Sequence, residues 1–279
     1  MTPNVIVALG IRRVTRPRLA PAGACAAALL ALAWAPSARA QSEPGPVGGS
    51  IAATTAYIYR GVSQSDGQGA LQMDLHAGSG GGTFGGLWVS TRDRSLEPQT
   101  PAELQVYLGQ RFSLGSEWSA TLSGRADYFV GAPTPHSDDY QEISASLTWL
   151  DRCTVSVGVL PSAVRYSYIE YASGGYPVAY YQTWRSTAVV TDGSGQWLLR
   201  EGVAGGGLYL TAAAGYYYSS RPEHASPPAL GYLYGNLGVA WERQHWRIDV
   251  GYFAAQSRAA QLFPYPVARR LAGTVSWQF

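Results

Sequence analysis

The sequence predicts an all-β transmembrane protein, an antiparallel up-and-down β-barrel of about twelve strands, with even counts from ten to fourteen fitting the same pattern. Three observations carry this reading. From residue 50 onward, segments of about ten residues alternate apolar and polar side chains between clusters of Gly, Pro, Ser and Asp. Charged residues make up only 14% of a chain that is 46% hydrophobic and 12% aromatic, yet mean hydropathy is −0.07 and no long apolar run follows the first forty residues. A helical membrane protein and a disordered chain are both excluded on these grounds. Finally, the connections between segments alternate short and long, as in barrels whose turns face the periplasm and whose loops face outward.

The N-terminus reads as a targeting segment. Arg12, Arg13, Arg16 and Arg18 precede an apolar stretch from Leu19 to Trp34, followed by Pro36 and the small-residue triplet Ala38-Arg39-Ala40. This is the pattern of a Sec-type signal peptide cleaved after Ala40. The expected organisation is residues 1–40 as signal peptide, 41–49 as a short periplasmic segment and 50–279 as the barrel. Removing the first forty residues takes away five Arg and no acid, which turns the formal charge of +2 slightly negative, so no basic surface for nucleic acid is expected. Cys25 leaves with the signal peptide, and Cys153 stands alone without an intramolecular partner.

The strands follow in order. Leu71, Met73, Leu75 and Ala77 face one way, and Gln72, Asp74 and His76 the other. Leu104, Val106 and Leu108 oppose Glu103, Gln105 and Tyr107. Trp118, Ala120, Leu122, Ala126 and Tyr128 oppose Ser119, Thr121, Ser123, Arg125 and Asp127, and Ile143, Ala145, Leu147 and Trp149 oppose Glu142, Ser144, Ser146 and Thr148. Near the end, Trp246, Ile248, Val250 and Tyr252 oppose Arg247 and Asp249, and Leu271, Val275, Trp277 and Phe279 oppose Arg270, Thr274 and Ser276. A soluble sandwich would carry many Lys and Glu on its polar faces; this chain has no Lys, and its polar faces are mainly Ser, Thr, Gln, Gly and Tyr.

Aromatics fall at the segment ends. Trp118, Trp149, Trp241, Trp246, Trp277 and Phe279 lie beside short connections or the C-terminus, and Tyr128, Tyr216, Tyr218 and Tyr252 toward the long ones, as two interfacial belts require. The longer connections are 61–68, 93–100, 130–139, 167–195, 219–229 and 256–266. Within 155–203 the count is open, because Tyr176–Val190 reads either as a loop hairpin or as a further pair of strands. The terminal alternation of Val275, Trp277 and Phe279 has the form of the sorting strand of bacterial outer-membrane barrels, which implies the barrel-assembly machinery as a partner during biogenesis.

Candidate chemistry is sparse. His76, His136, His224 and His245 have no metal-ligand spacing, Asp138-Asp139 beside His136 reads as a solvated loop, and no Ser motif accompanies a His. The Gly80–Gly82 and Gly205–Gly207 runs precede strands, so turn geometry accounts for them. No cofactor and no metal is expected. The candidate pore-lining residues are Arg60, Asp74, His76, Glu103, Arg111, Arg125, Asp127, Glu142, Arg247, Asp249 and Arg270. Their charges nearly balance, so they either set a transverse field across an open lumen or pair and plug it. Arg60, expected at the close of the first strand, is the leading functional candidate, and its structural alternative is a pairing with a neighbouring carboxylate such as Asp74.

The segment Tyr57-Ile58-Tyr59-Arg60-Gly61-Val62-Ser63-Gln64-Ser65-Asp66, with Ala70-Leu71-Gln72 after it, resembles the TorF-like family of bacterial outer-membrane porins. Glu103–Gly109 and Tyr140-Gln141-Glu142 extend the resemblance over roughly residues 50–150. It implies an outer-membrane barrel with a pore and supplies no substrate. The leading functional expectation is therefore passive diffusion of small polar solutes through a barrel seated in outer-membrane lipid. Two others stay open: a non-conducting barrel whose external loops bind a partner or surface ligand, and a barrel enzyme with a rim site using His76 or His136.

Overall fold

The structure, a computed structural model, describes residues 47–92, 101–131, 139–173, 176–221 and 228–279, together with the dipeptide 6–7; over 167–182 the description is of the backbone. The expected signal peptide and its cleavage site lie outside the described residues apart from that dipeptide, which pairs with residues 180–181.

Twelve strands close into one barrel. They are β1 (Val47–Thr54), β2 (Ala70–Gly78), β3 (Thr83–Thr91), β4 (Ala102–Leu114), β5 (Trp118–Val130), β6 (Tyr140–Trp149), β7 (Cys153–Ser173), β8 (Tyr176–Val203), β9 (Gly206–Ser219), β10 (Leu230–Arg243), β11 (Trp246–Ala255) and β12 (Arg269–Gln278). Each pairs antiparallel with its sequence neighbours, and β12 returns to β1 with Thr274 opposite Thr54 and Gln278 opposite Ser50. Gly49 and Phe279 extend the closing ladder by exchanging two backbone hydrogen bonds of 3.0 Å. Closure leaves no barrel strand with an unpaired edge, which a lipid-facing sheet requires. The first strand starts at Val47 instead of Ser50 and ends at Thr54.

The alternation places its apolar set outward. Leu71, Leu108 and Leu271 are each more than 60% exposed, while Asp127 and Glu142 on the opposite faces are buried. Trp118 and Tyr128 share β5 ten residues apart, a rise of about 33 Å along the strand and about 25 Å along the normal at ordinary barrel tilt, the height of an apolar band. Trp118 lies opposite Trp149, and Trp246 opposite Trp277, so the inner belt is built of cross-strand pairs. The turns at this end are tight. Leu150 and Asp151 at one, and Ala204 and Gly205 at another, hold positive φ, the conformation whose twist matches two-residue hairpins.

The open segment resolves into one hairpin. β7 pairs with β8 from Cys153–Gly195 to Ser173–Tyr176, with a register shift between Leu160 and Ala163. Pro161, which cannot donate to a ladder, sits in that irregularity. β6 pairs with β7 only as far as Val159, and β9 with β8 only up to Ala188. The remainder of the hairpin leaves the wall, and Tyr176–Val190 adds no further strand.

The core lies inside the outer half of the barrel. Connection 55–69 turns inward as a small hairpin, Ile58–Tyr59 against Val62–Ser63. Connection 256–268, which holds a 3₁₀ turn at Ser257–Gln261, folds in beside it. The two are stitched together by the Val62–Val267 bridge, by Ser63 N donating to Pro266 O at 2.9 Å and by Ala268 N donating to Gly61 O at 2.8 Å. They bury Val62, Leu262 and Tyr265 against Leu160, Val190 and Tyr232 of the wall.

Candidate functional site in the barrel interior

The site begins with a turn. Arg60 and Gly61 form the tip of the inward hairpin with φ of +47° and +75°, a left-handed pair that glycine makes accessible. Space also dictates glycine at 61, since a Cβ there would come within 2.8 Å of Tyr234 Cβ. The turn is fixed from the wall by Tyr232, whose hydroxyl donates to the Arg60 carbonyl at 3.1 Å. Arg60 therefore does not close the first strand; the chain has already left β1 at Thr54 and carries the guanidinium across the interior.

There Arg60 Nη2 donates to Glu142 Oε1 at 2.8 Å, with Asp192 Oδ2 at 3.7 Å. The expected alternative partner, Asp74, is not the one used, because the hairpin swings toward β6 and β8 and away from β2. Arg125 Nη2 donates to the other Glu142 oxygen at 2.7 Å, lies 3.4 Å by Nε from Asp127 Oδ2 and also donates to the Tyr59 hydroxyl. Gln105 donates to Asp127 Oδ1 at 2.7 Å. Tyr57 donates to Glu103 at 3.3 Å, and Arg92 lies 3.9 Å from Glu103. Burial opposes the Arg60 charge, but Glu142 together with Tyr59, Tyr234 and Asp192 more than offsets it and holds the pKa above the ordinary range. Burial, reinforced by the charge of Glu103, pushes the Tyr57 phenol up, which keeps it a donor. Buried, paired ions order one another's geometry, so this network locks the hairpin in place.

The other candidates fall into separate groups. In the inner half, His76 Nδ1 lies 2.5 Å from Asp74 Oδ1, whose second oxygen accepts from the Tyr107 hydroxyl at 2.7 Å. Arg247 grips Asp249 bidentately at 2.8 and 2.6 Å and also reaches Glu242 and Gln196. Arg111 sits at the inner rim, 2.7 Å from Asp151 of the turn after β6. Arg270 is exposed at the outer rim, beside Gly67 of the first connection. Val275, Trp277 and Phe279, the expected sorting-signal residues, face outward, with the last two rings stacked at 5.1 Å. His136, His224 and Asp138 lie outside the described residues.

Sequence reasoning missed Asp192, Glu242 and Tyr234. Asp192, to which Tyr234 donates, could have been found by continuing the period-two phase through 183–195. Above the ion network the interior retains a cavity of about 80 Å³, walled by Tyr59, Tyr140, Tyr217, Tyr232, Phe263 and Tyr265 with Arg60 and Glu103 at its polar side.

These features define a class: a closed twelve-stranded barrel of outer-membrane porin fold whose outer mouth holds two of its own connections. Residues 38–168 match the model of a bacterial protein family of unknown function, Gcw_chp. The NanC porin superposes with a TM-score of 0.50 at 8% identity, covering 83% of this chain and 98% of that one. The KdgM porin gives 0.45 at 9% identity over 83% and 98%, and KdgM in complex with disordered oligogalacturonate gives 0.44 at 8% over 84% and 98%. No curated protein matches by sequence. At such identities the likeness to NanC is one of fold.

Proposed function

We propose that the protein is a restricted outer-membrane channel for passive diffusion of small polar solutes, exported through a signal peptide cleaved after Ala40 and related to the TorF-like porins. One observation carries the reading: a closed barrel with an apolar exterior and an interior lined by paired charges, Ser, Thr and Tyr. Lipid outside and water inside account for both faces. The pore-lining role falls on Asp74, His76, Arg247 and Asp249 in the inner half and on the network from Arg60 to Glu142 at the constriction. Outer-membrane lipid and the assembly machinery are its structural partners; the permeant class is small and polar, and no covalent chemistry is assigned. A second reading, a non-conducting barrel that binds through its outer face, is favoured by the two connections packed into the mouth. Single-channel recording of the refolded protein separates them. Discrete openings support the channel, and conductance no greater than bare lipid rejects it.

A further inference from the structure

We infer that the aromatic cavity between the two inward connections and the barrel wall is a binding site for one neutral, ring-sized sugar. The proposal deepens the channel reading by naming the solute class its constriction would hold.

The cavity is built and not incidental. Tyr217 and Tyr232 stack at 5.5 Å, and Phe263 of the second connection stands edge-on to Tyr217 at 5.7 Å. Rings fixed in this way present flat apolar faces, to which the C–H face of a pyranose is complementary. On the polar side stands Arg60, whose side chain is only 8% exposed. Its Nη2 is engaged, but Nη1 is buried and forms no hydrogen bond among the described residues. A buried donor left in that state is destabilising, and an acceptor entering the cavity relieves it.

Charge selects a neutral acceptor. Arg60, Arg92, Arg125 and Arg165 stand against Glu103, Asp127, Glu142 and Asp192, four of each sign. An anion would meet carboxylates already satisfied by these guanidiniums, and a cation would meet Arg60. A hydroxyl or ring oxygen accepts from Nη1 without disturbing the balance. Size selects a single ring: about 80 Å³ gives room for several waters or one small ring, not for a chain of sugars.

The test uses the full barrel refolded in phosphatidylcholine vesicles, titrated calorimetrically with glucose, glucuronate and glucosamine, with conductance recorded on the same preparations. Glucose is expected to bind saturably in the millimolar range, and the charged sugars at least fivefold more weakly. Arg60→Met and Tyr217→Leu should each weaken glucose about tenfold, while Arg111→Gln at the inner rim leaves it unchanged. Should Arg60→Met fail to refold, Tyr217→Leu, which lies outside the ion network, decides. No saturable glucose binding, tighter binding of glucuronate or glucosamine, or unaltered binding by Tyr217→Leu would overturn the proposal. Conduction without glucose binding defeats this site alone, whereas glucose binding without conduction keeps the site and defeats the channel reading.

Discussion

Arg60 and Glu142, eighty-two residues apart in sequence, meet at 2.8 Å inside the barrel with side chains only 8% and 7% exposed. The contact joins a connection to the wall, so it bears on both stability and passage. Breaking a buried pair by removing one partner costs about 3–5 kcal/mol, toward the lower end here because Glu142 keeps Arg125. Arg60→Ala should therefore release residues 55–69, seen as faster proteolytic cleavage within that connection and as larger or longer channel openings. A variant with unchanged cleavage and conductance would show that the pair does not hold the hairpin.

The neighbouring Gly61 tests the turn independently of charge. With φ at +75° and Tyr234 Cβ within 2.8 Å of any added Cβ, Gly61→Val meets both backbone strain and a steric barrier. The expected cost is about 2–3 kcal/mol. It should appear as a lower temperature for the heat-dependent shift in gel migration, and a wild-type transition temperature would contradict the packing described for the hairpin tip.

The lipid-facing phase was legible in the sequence because a strand between two solvents leaves a strict period of two. Leu104, Val106 and Leu108 were assigned outward by that rule alone, and Leu108 is 67% exposed. The inward path of 55–69 and 256–268 was not legible, because a connection obeys no period. What signal there was lay in composition: Tyr57, Ile58, Tyr59 and Val62, like Leu262, Phe263 and Tyr265, are too apolar for solvated loops, and all of them pack inside. The choice of Glu142 and Asp192 over Asp74 as partners of Arg60 followed from that same inward turn, so it was hidden with it.

The phase itself makes a paired prediction. Leu108→Arg places a cation against lipid, where it costs about 2–4 kcal/mol near the midplane, while Ser146→Arg on the inward face of β6 remains in the polar interior. Urea titration in vesicles should show a clear loss of stability for the first and a much smaller one for the second. Equal losses would mean that the two faces do not meet different solvents.

The last prediction concerns closure. Phe279 ends the chain where β12 meets β1, exchanging hydrogen bonds of 3.0 Å with Gly49 and stacking its ring on Trp277. It also fills the space beside Gly49, where a Cβ would come within 2.7 Å of the Phe279 ring. The residue thus serves the seam of the barrel, and the proposed sorting role lies on top of that. The two roles separate by where assembly happens. Phe279→Ala keeps the backbone bonds and removes the ring, so refolding into detergent should fall only slightly, while the heat-modifiable fraction recovered from cell outer membranes should fall severalfold. Loss in both settings would assign the ring to the seam alone, and loss in neither would leave the terminal aromatic without either role.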